Sequence, residues 1–162
     1  MYSGAGLDIS NLRPKDSIVN NSAEKTSGAV SFMPLYSLTT EIIGQKSRRG
    51  ALMISIDINH PDIEEFIDIK NDLDAVTKAN ISLKITDEFM AAVKNNTDFE
   101  LSFYVEDTGE EIKKKVNARR IFNKIAYSNW NMAEPGVLFW DRIEDYNLLS
   151  NNEDFHYAGV NP

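Results

Sequence analysis

The sequence predicts an α/β fold with parallel strand pairing, and three observations carry that prediction. Apolar residues recur at a period of two in several short runs, and at a period of 3.6 in the segments between them. The helical segments run to about ten residues or more, the length that crossovers between parallel strands require. No run approaches the roughly 18 apolar residues of a membrane span, and no repeat of solenoid length breaks the alternation. Since 42% of the 162 residues are hydrophobic, one core in one domain is within reach, arranged as an α/β sheet or barrel.

The elements follow in order. "GLDIS" (6–10) is a short alternating strand, and the polar, turn-rich 13–28 is a long loop. Residues 31–44 form a helix with Ser31 as N-cap, Phe32, Leu35, Tyr36, Ile42 and Ile43 on one face, and Gly44 ending it. "ALMISIDI" (51–58) is a strand with Leu52, Ile54, Ile56 and Ile58 on one side. The segment 60–70 opens a helix with Pro61 at its first position and acids near its positive end. "NISLKI" (80–85) is a strand, 86–95 a helix capped by Thr86 or Asp87, and "FELSFYV" (99–105) a strand. Residues 106–115 read as a charged hairpin-like connection and 117–133 as the longest helix, stopped at Pro135-Gly136. A strand at 137–141 and a short helix at 142–149 complete the pattern.

Composition removes several function classes. A net charge of −8 argues against general binding to nucleic-acid backbones, which needs a basic surface, though not against a local basic pocket for a phosphorylated small molecule. With no cysteine, the chain itself offers neither disulfides nor thiolate chemistry, and two distant histidines, His60 and His156, form no metal motif. The N-terminus lacks the basic and apolar regions of a signal peptide, so no membrane association and a cytoplasmic location are expected.

Four stretches carry candidate chemistry. "SGAG", with Ser3 and Gly4, allows close approach of a ligand to backbone, or makes a plain tight turn. "GQKSRRGA" (44–51) sets Lys46, Arg48 and Arg49 between glycines, suited to phosphate or a base edge, or a solvated loop. His60 before a helix reads as a capping or core-edge residue. Asp62, Glu64, Glu65 and Asp68 read as a solvated helix face, not a metal site.

Taken in order, "SGAGLDISNLRPKDS", "SGAVSFMPLYSLTTEIIGQKSRRGALMISIDINHPDIEEFIDIK", "ANISLKITDEFMAAV", "EPGVLFWDRI" and the terminal "NP" resemble the large catalytic subunit of ribonucleotide reductase, most like its adenosylcobalamin-dependent class. The resemblance covers essentially the whole chain and is most specific over 28–70. It implies a ten-stranded α/β barrel of two five-stranded halves, of which residues 1–162 would be about the first. Half a barrel is expected to leave one strand edge and one apolar face uncovered.

The same resemblance implies roles. Gly4, with Ser3 beside it, matches a glycine whose backbone lies near the substrate. Arg13, Lys15 and the loop to about residue 22 match a first specificity loop that contacts effector phosphates. Gln45, Lys46, Arg48 and Arg49 match a second that links effector to substrate base, although relatives often have two glycines where this chain has Lys46 and Ser47. Asn161-Pro162 match the start of an Asn-x-Cys-x-Glu motif on a finger loop inside the barrel, Asn161 being the ribose-binding amide. The chain is therefore expected to stop one residue before the radical cysteine, as a split, spliced or partial reading frame. Thiyl-radical reduction of ribonucleotides is implied, but only with a complementary segment carrying the cysteines, and the chain alone is expected to be inactive. Adenosylcobalamin bound mainly by other parts, a deoxynucleotide or ATP effector and a homodimer are implied too. The rival expectation is a noncatalytic nucleotide-binding or interaction remnant.

Overall fold

A computed structural model describes residues 4–19, 23–44 and 50–148. Four strands, β1 (Gly4–Asp8), β2 (Ala51–Asp57), β3 (Ala79–Ile85) and β6 (Gly136–Phe139), form one all-parallel sheet in the order β1-β2-β3-β6. Spatial order follows chain order, so each crossover steps to the next neighbour, as in a barrel wall. The crossovers carry α1 (Met33–Ile43), then α2 (Ile63–Asp68), then α3 (Asp87–Asn95) with α4 (Ala118–Met132). Helix α5 (Trp140–Asp145) follows β6. Between α3 and α4, β4 (Asp98–Val105) and β5 (Glu110–Asn117) make a separate antiparallel hairpin.

The register divides the sheet into two faces. Leu7 lies beside Ile54 and Ile54 beside Ile81, and the alternate positions of β2 and β3 (Ile56, Leu83, Ile85) are also fully buried. That face packs on Ile63, Phe66 and Ile67 of α2, Phe89 of α3 and Ile121 and Ile125 of α4. The opposite face carries small and polar residues: the row Asp8, Ser55, Ser82, Gly136 is in register across all four strands. Met53 and Leu138 are the apolar exceptions on it, and the apolar face is left uncovered at the β6 edge, where Val137 and Phe139, in register with Leu83 and Ile85, are 39% and 51% exposed.

A second stretch of exposed apolar surface lies on α1. Leu35, Leu38, Ile42 and Ile43 are 52–74% exposed, whereas α1 buries Met33 and Ser37 against the sheet. The face expected to enter the core is thus mostly the outer one. Ser31 is not its N-cap: a 3-10 turn, Val30–Phe32, precedes the helix, and the Ser31 hydroxyl donates to the Gly28 carbonyl. Pro61 stands outside α2, one residue before its N-cap Asp62. Thr86 caps α3 as expected, accepting from the Phe89 N–H, and Asn117 caps α4 through the Arg120 N–H.

The acids of α2 are a solvated face only in part: Glu65 and Asp68 are exposed, whereas Asp62 is buried and Glu64 is held in ion pairs. Glu64 accepts two bonds from the Arg120 guanidinium at 2.9 and 3.0 Å, with Lys114 at 3.2 Å. Arg120, helped by Lys114, holds its carboxyl down to about 2. Asp68 pairs with Lys124, so α2 is tied to α4 by charge as well as by packing.

Candidate functional site

Parallel strands present all their C-terminal ends on one side, and there β1, β2 and β3 each contribute a charge. Lys84 Nζ lies 2.9 Å from Asp8 Oδ2 and 2.7 Å from Asp57 Oδ1, with the Trp140 ring centroid at 4.6 Å. The Ser10 N–H and the Ser55 hydroxyl also donate to Asp8, at 3.0 and 2.8 Å, and the Asp57 N–H donates to the Ser10 hydroxyl. Burial by itself would push the Asp8 carboxyl up, but the bonds from Ser10, Lys84 and Ser55 outweigh it and hold it below the ordinary value. Burial likewise opposes the Lys84 ammonium, and Asp57 and Asp8 overcome it, so its pKa is raised. A cavity of about 690 Å³ opens over this cluster, lined also by Asn11, Asn59, Glu88 and Glu100.

The loop leaving β1 is clamped at its base. Both oxygens of the buried Asp62 accept from the Lys15 N–H (3.0 and 3.1 Å), and Oδ2 also accepts from the Ala29 N–H (3.0 Å). One carboxylate thus joins residues fourteen positions apart. The Asp62 N–H donates to His60 Nδ1 at 3.0 Å, so Nε2 carries the proton and donates to the Leu12 carbonyl at 2.9 Å. The ring packs edge-on to Phe103. Gly28 adopts φ +95, and a Cβ there would stand 2.8 Å from Asp62 Oδ2.

This geometry has a pH consequence. Burial lowers the pKa of His60 despite the Leu12 carbonyl and the charges of Asp62, Asp57 and Asp8. The unfolded chain takes up a proton near pH 6.5 and the folded one resists it, so stability should fall as pH drops from about 7 to about 5. Thermal melts of His60→Gln, whose amide can still donate to Leu12, should lack that part of the pH dependence. An unchanged slope in the variant would show that His60 is not the group responsible.

The structure brings together some of the sequence-predicted residues and separates others. Arg13 and Lys15 lie at the C-terminal end of β1: Arg13 donates to the Ile18 carbonyl and pairs with Asp107, and Lys15 Nζ is 3.8 Å from Glu65. Gly4 pairs with Ala51 at the opposite end of the sheet, a strand length of ~15 Å away. Helix α1 joins the two ends, with the Arg13 loop before it and residues 45–49 after it. Ser3, Gln45, Lys46, Arg48, Arg49, Asn161 and Pro162 lie outside the described residues. Sequence reasoning missed Asp8, Asp57 and Lys84, although each is a charge inside an apolar strand run, the one signal that marks them. It also read Asp62 as solvated. Among the described residues, no group of three or more His, Cys, Asp or Glu side chains is placed to hold a metal.

Comparison with known proteins places this geometry. Residues 1–156 match the family model described as ribonucleotide reductase, barrel domain. The chain is 39% identical over 153 residues to a vitamin B12-dependent ribonucleoside-diphosphate reductase of Thermoplasma acidophilum, covering 93% of this chain and 20% of that protein. It is 34% identical to a vitamin B12-dependent ribonucleotide reductase of Streptomyces clavuligerus, covering 99% and 19%. A vitamin B12-dependent ribonucleoside-diphosphate reductase of Mycobacterium tuberculosis strain H37Rv is 32% identical over 89% of the chain and 20% of that protein. The chain therefore spans about a fifth of the length of these relatives.

Proposed function

Because the chain belongs to the ribonucleotide reductase family through its barrel domain, we propose that it is a segment of a catalytic subunit that reduces ribonucleotides to deoxyribonucleotides, and that its part is effector recognition and substrate positioning. The loop with Arg13 and Lys15 takes the phosphates of a deoxynucleotide or ATP effector, and Gln45, Lys46, Arg48 and Arg49 relay effector identity. Ser3, Gly4, Asn161 and Pro162 face the ribonucleotide. The chain has no cysteine, so thiyl chemistry rests on residues that a complementary segment supplies, and this chain alone does not turn over. The alternative reading is a noncatalytic nucleotide-binding or interaction remnant.

One observation carries the effector reading. The loop with Arg13 and the segment 45–49 flank opposite ends of α1, which at 11 residues is ~16 Å long, while an exposed apolar stripe runs along the helix between them. Antiparallel packing of two α1 helices across a two-fold axis buries the stripe and brings one chain's Arg13 loop toward the C-terminal end of the other's α1. Such a homodimer completes an effector site that neither copy holds alone.

The relatives' names carry vitamin B12, whose organometallic bond supplies a carbon radical when the cofactor is bound. The described residues do not fit a corrin. Both ring nitrogens of His60 are engaged, so it would not be free to hold the cobalt, and the cavities at the strand ends are lined mostly by charged and polar side chains with a few aromatic ones. The cofactor is therefore assigned to other parts of the subunit, and no step is routed through these residues.

Two substitutions test the reading by ATP and dATP titration with sedimentation analysis. Leu38→Asp on the exposed stripe should abolish the dimer and effector binding together. Arg13→Ala should leave the dimer intact and weaken effector binding about tenfold, the scale of a lost charge-assisted bond. A dimer unaffected by Leu38→Asp, or nucleotide affinity unaffected by Arg13→Ala, would remove the corresponding half of the proposal.

A further inference from the structure

The Arg13 loop is held at two places by bonds of different strength. Its base is fixed through buried groups: Leu12 to His60, and Lys15 and Ala29 to Asp62. Arg13, between the Leu12 and Lys15 anchors, and Ile18, just beyond them, are held by the β4–β5 hairpin, whose sequence from 106 to 111 is Glu-Asp-Thr-Gly-Glu-Glu. There Asp107 pairs with the Arg13 guanidinium and Glu110 Oε2 accepts from the Ile18 N–H at 3.2 Å. These two carboxylates engage a guanidinium and a backbone N–H, the donor types that a phosphate group uses. The Asp107 side chain is 68% exposed, and exposed pairs of this kind exchange readily with competing ions. Arg13, Asn11, Asn59, Tyr104 and Asp107 also line a polar cavity of about 570 Å³ between hairpin and strand ends, within the size range of small-ligand sites.

Resting on the reading of this loop as the effector-phosphate loop, we propose that the hairpin tip is its built-in counter-anion. Asp107 and Glu110 hold Arg13 and the Ile18 N–H until the phosphates of a nucleoside triphosphate displace them. Displacement frees the Arg13 side chain and the Ile18 N–H while the buried clamp keeps Leu12, Lys15 and Ala29 in place, so the anions exchange without release of the loop's base. The hairpin thereby sets the effector concentration at which the site fills, and it excludes monoanions too weak to compete with two carboxylates.

The test is a calorimetric titration of the full chain with ATP and, separately, with inorganic tripolyphosphate, at one chain concentration at which sedimentation shows the unaltered chain and every variant to be equally dimeric. Neutralising one competitor, as Asp107→Asn or Glu110→Gln, should tighten binding about threefold, and the pair about tenfold, as expected for exposed pairs. The gain should be the same for both probes, because the competition is for phosphate. Glu111→Gln, which removes a hairpin charge paired with Lys113 and not with the loop, should change affinity by less than about 1.5-fold. In the unaltered chain ATP should shift the amide resonances of Ile18 and Glu110 together. Binding by the unaltered chain with no gain in the variants overturns the latch and leaves the effector loop standing. An equal gain in Glu111→Gln reduces it to long-range charge, and a gain with ATP alone moves the competition off the phosphates; either result overturns it. If neither probe binds the unaltered chain or any variant, the effector reading itself falls, and the latch with it.

Discussion

Lys84→Met should destabilise the fold by about 3 kcal/mol at pH 7, toward the lower end of the cost of removing one partner from a buried ion cluster. Methionine fills nearly the same space against Trp140, so packing changes little and the loss is electrostatic. Asp8 and Asp57 are left facing each other with no cation, and only the bonds from Ser10 and Ser55 remain to Asp8. The Asp57 side chain is 40% exposed, which is why the upper end of the range is not expected. The sign of the pH dependence separates charge from packing. In the wild type the depressed Asp8 pKa gives stability that is present above about pH 3.9 and lost as pH falls through the folded value. The raised Lys84 pKa gives stability that is present below about pH 10.4 and lost as pH rises through the folded value. In Lys84→Met the stranded carboxylates favour protonation, so the deficit should shrink between pH 7 and pH 4.5. Adding Asp8→Asn and Asp57→Asn should recover most of the loss at pH 7. Urea melts showing a deficit that is constant with pH, or smaller than about 1 kcal/mol at pH 7, would assign Lys84 to packing alone.

The elements of this fold were legible in the sequence wherever burial imposed a period. Strands β2 and β3 alternate cleanly because one face packs on three helices, and α4 announced itself by its length and by the proline and glycine that stop it. Strand β5 was not legible as a strand. Its residues are charged at most positions and exposed on both faces, so only Ile112 and Val116 mark its apolar side and the segment reads as connection. The same limit explains α1: periodicity reports that a helix has an apolar face but not what covers it. Met33 and Ser37 were enough to seat the helix on the sheet, which left the wider stripe outward.

The site residues divide in the same way. Gly4 and Arg13 were singled out through family resemblance, which follows local motifs, and the structure sets them at opposite ends of β1. The Asp8–Lys84–Asp57 cluster depends on register between three strands far apart in sequence, which no local pattern encodes. Asp62 misled for a different reason. An acid at a helix start is a good match to the helix dipole, and that explanation is sufficient until a loop forty-seven positions upstream turns out to need an acceptor.

That clamp carries the second large effect. Asp62→Ala should cost about 3 kcal/mol, because the buried Ala29 N–H and the part-buried Lys15 N–H lose their acceptor and each orphaned donor costs about 1–3 kcal/mol. Asp62→Asn should cost less, since an amide oxygen can still serve one side of the clamp while its NH2 opposes the other donor. Gly28→Ala attacks the same junction from the loop. Its φ of +95 is strained for any side chain, and the new Cβ would meet Asp62 Oδ2 at 2.8 Å and the Lys15 N and Cβ at 2.9 Å. A cost of about 2–3 kcal/mol is expected from backbone strain and the opened clamp together. The two single effects should not add. Once Asp62 is alanine, the nearest clash at residue 28 is gone and there is no clamp left to open, so only the backbone strain and the contact with Lys15 remain. The double variant Gly28→Ala/Asp62→Ala should therefore be at least 1 kcal/mol more stable than the sum of the singles predicts, the coupling expected for residues in direct contact. Denaturant melts of the four proteins measure this, and strict additivity would mean that Gly28 and Asp62 stabilise the loop independently. Amide exchange adds the functional half: both singles should expose the Lys15 and Ala29 amides while leaving the β2 and β3 amides protected. The clamp would then be shown to fasten the Arg13 loop to a sheet that stays folded without it.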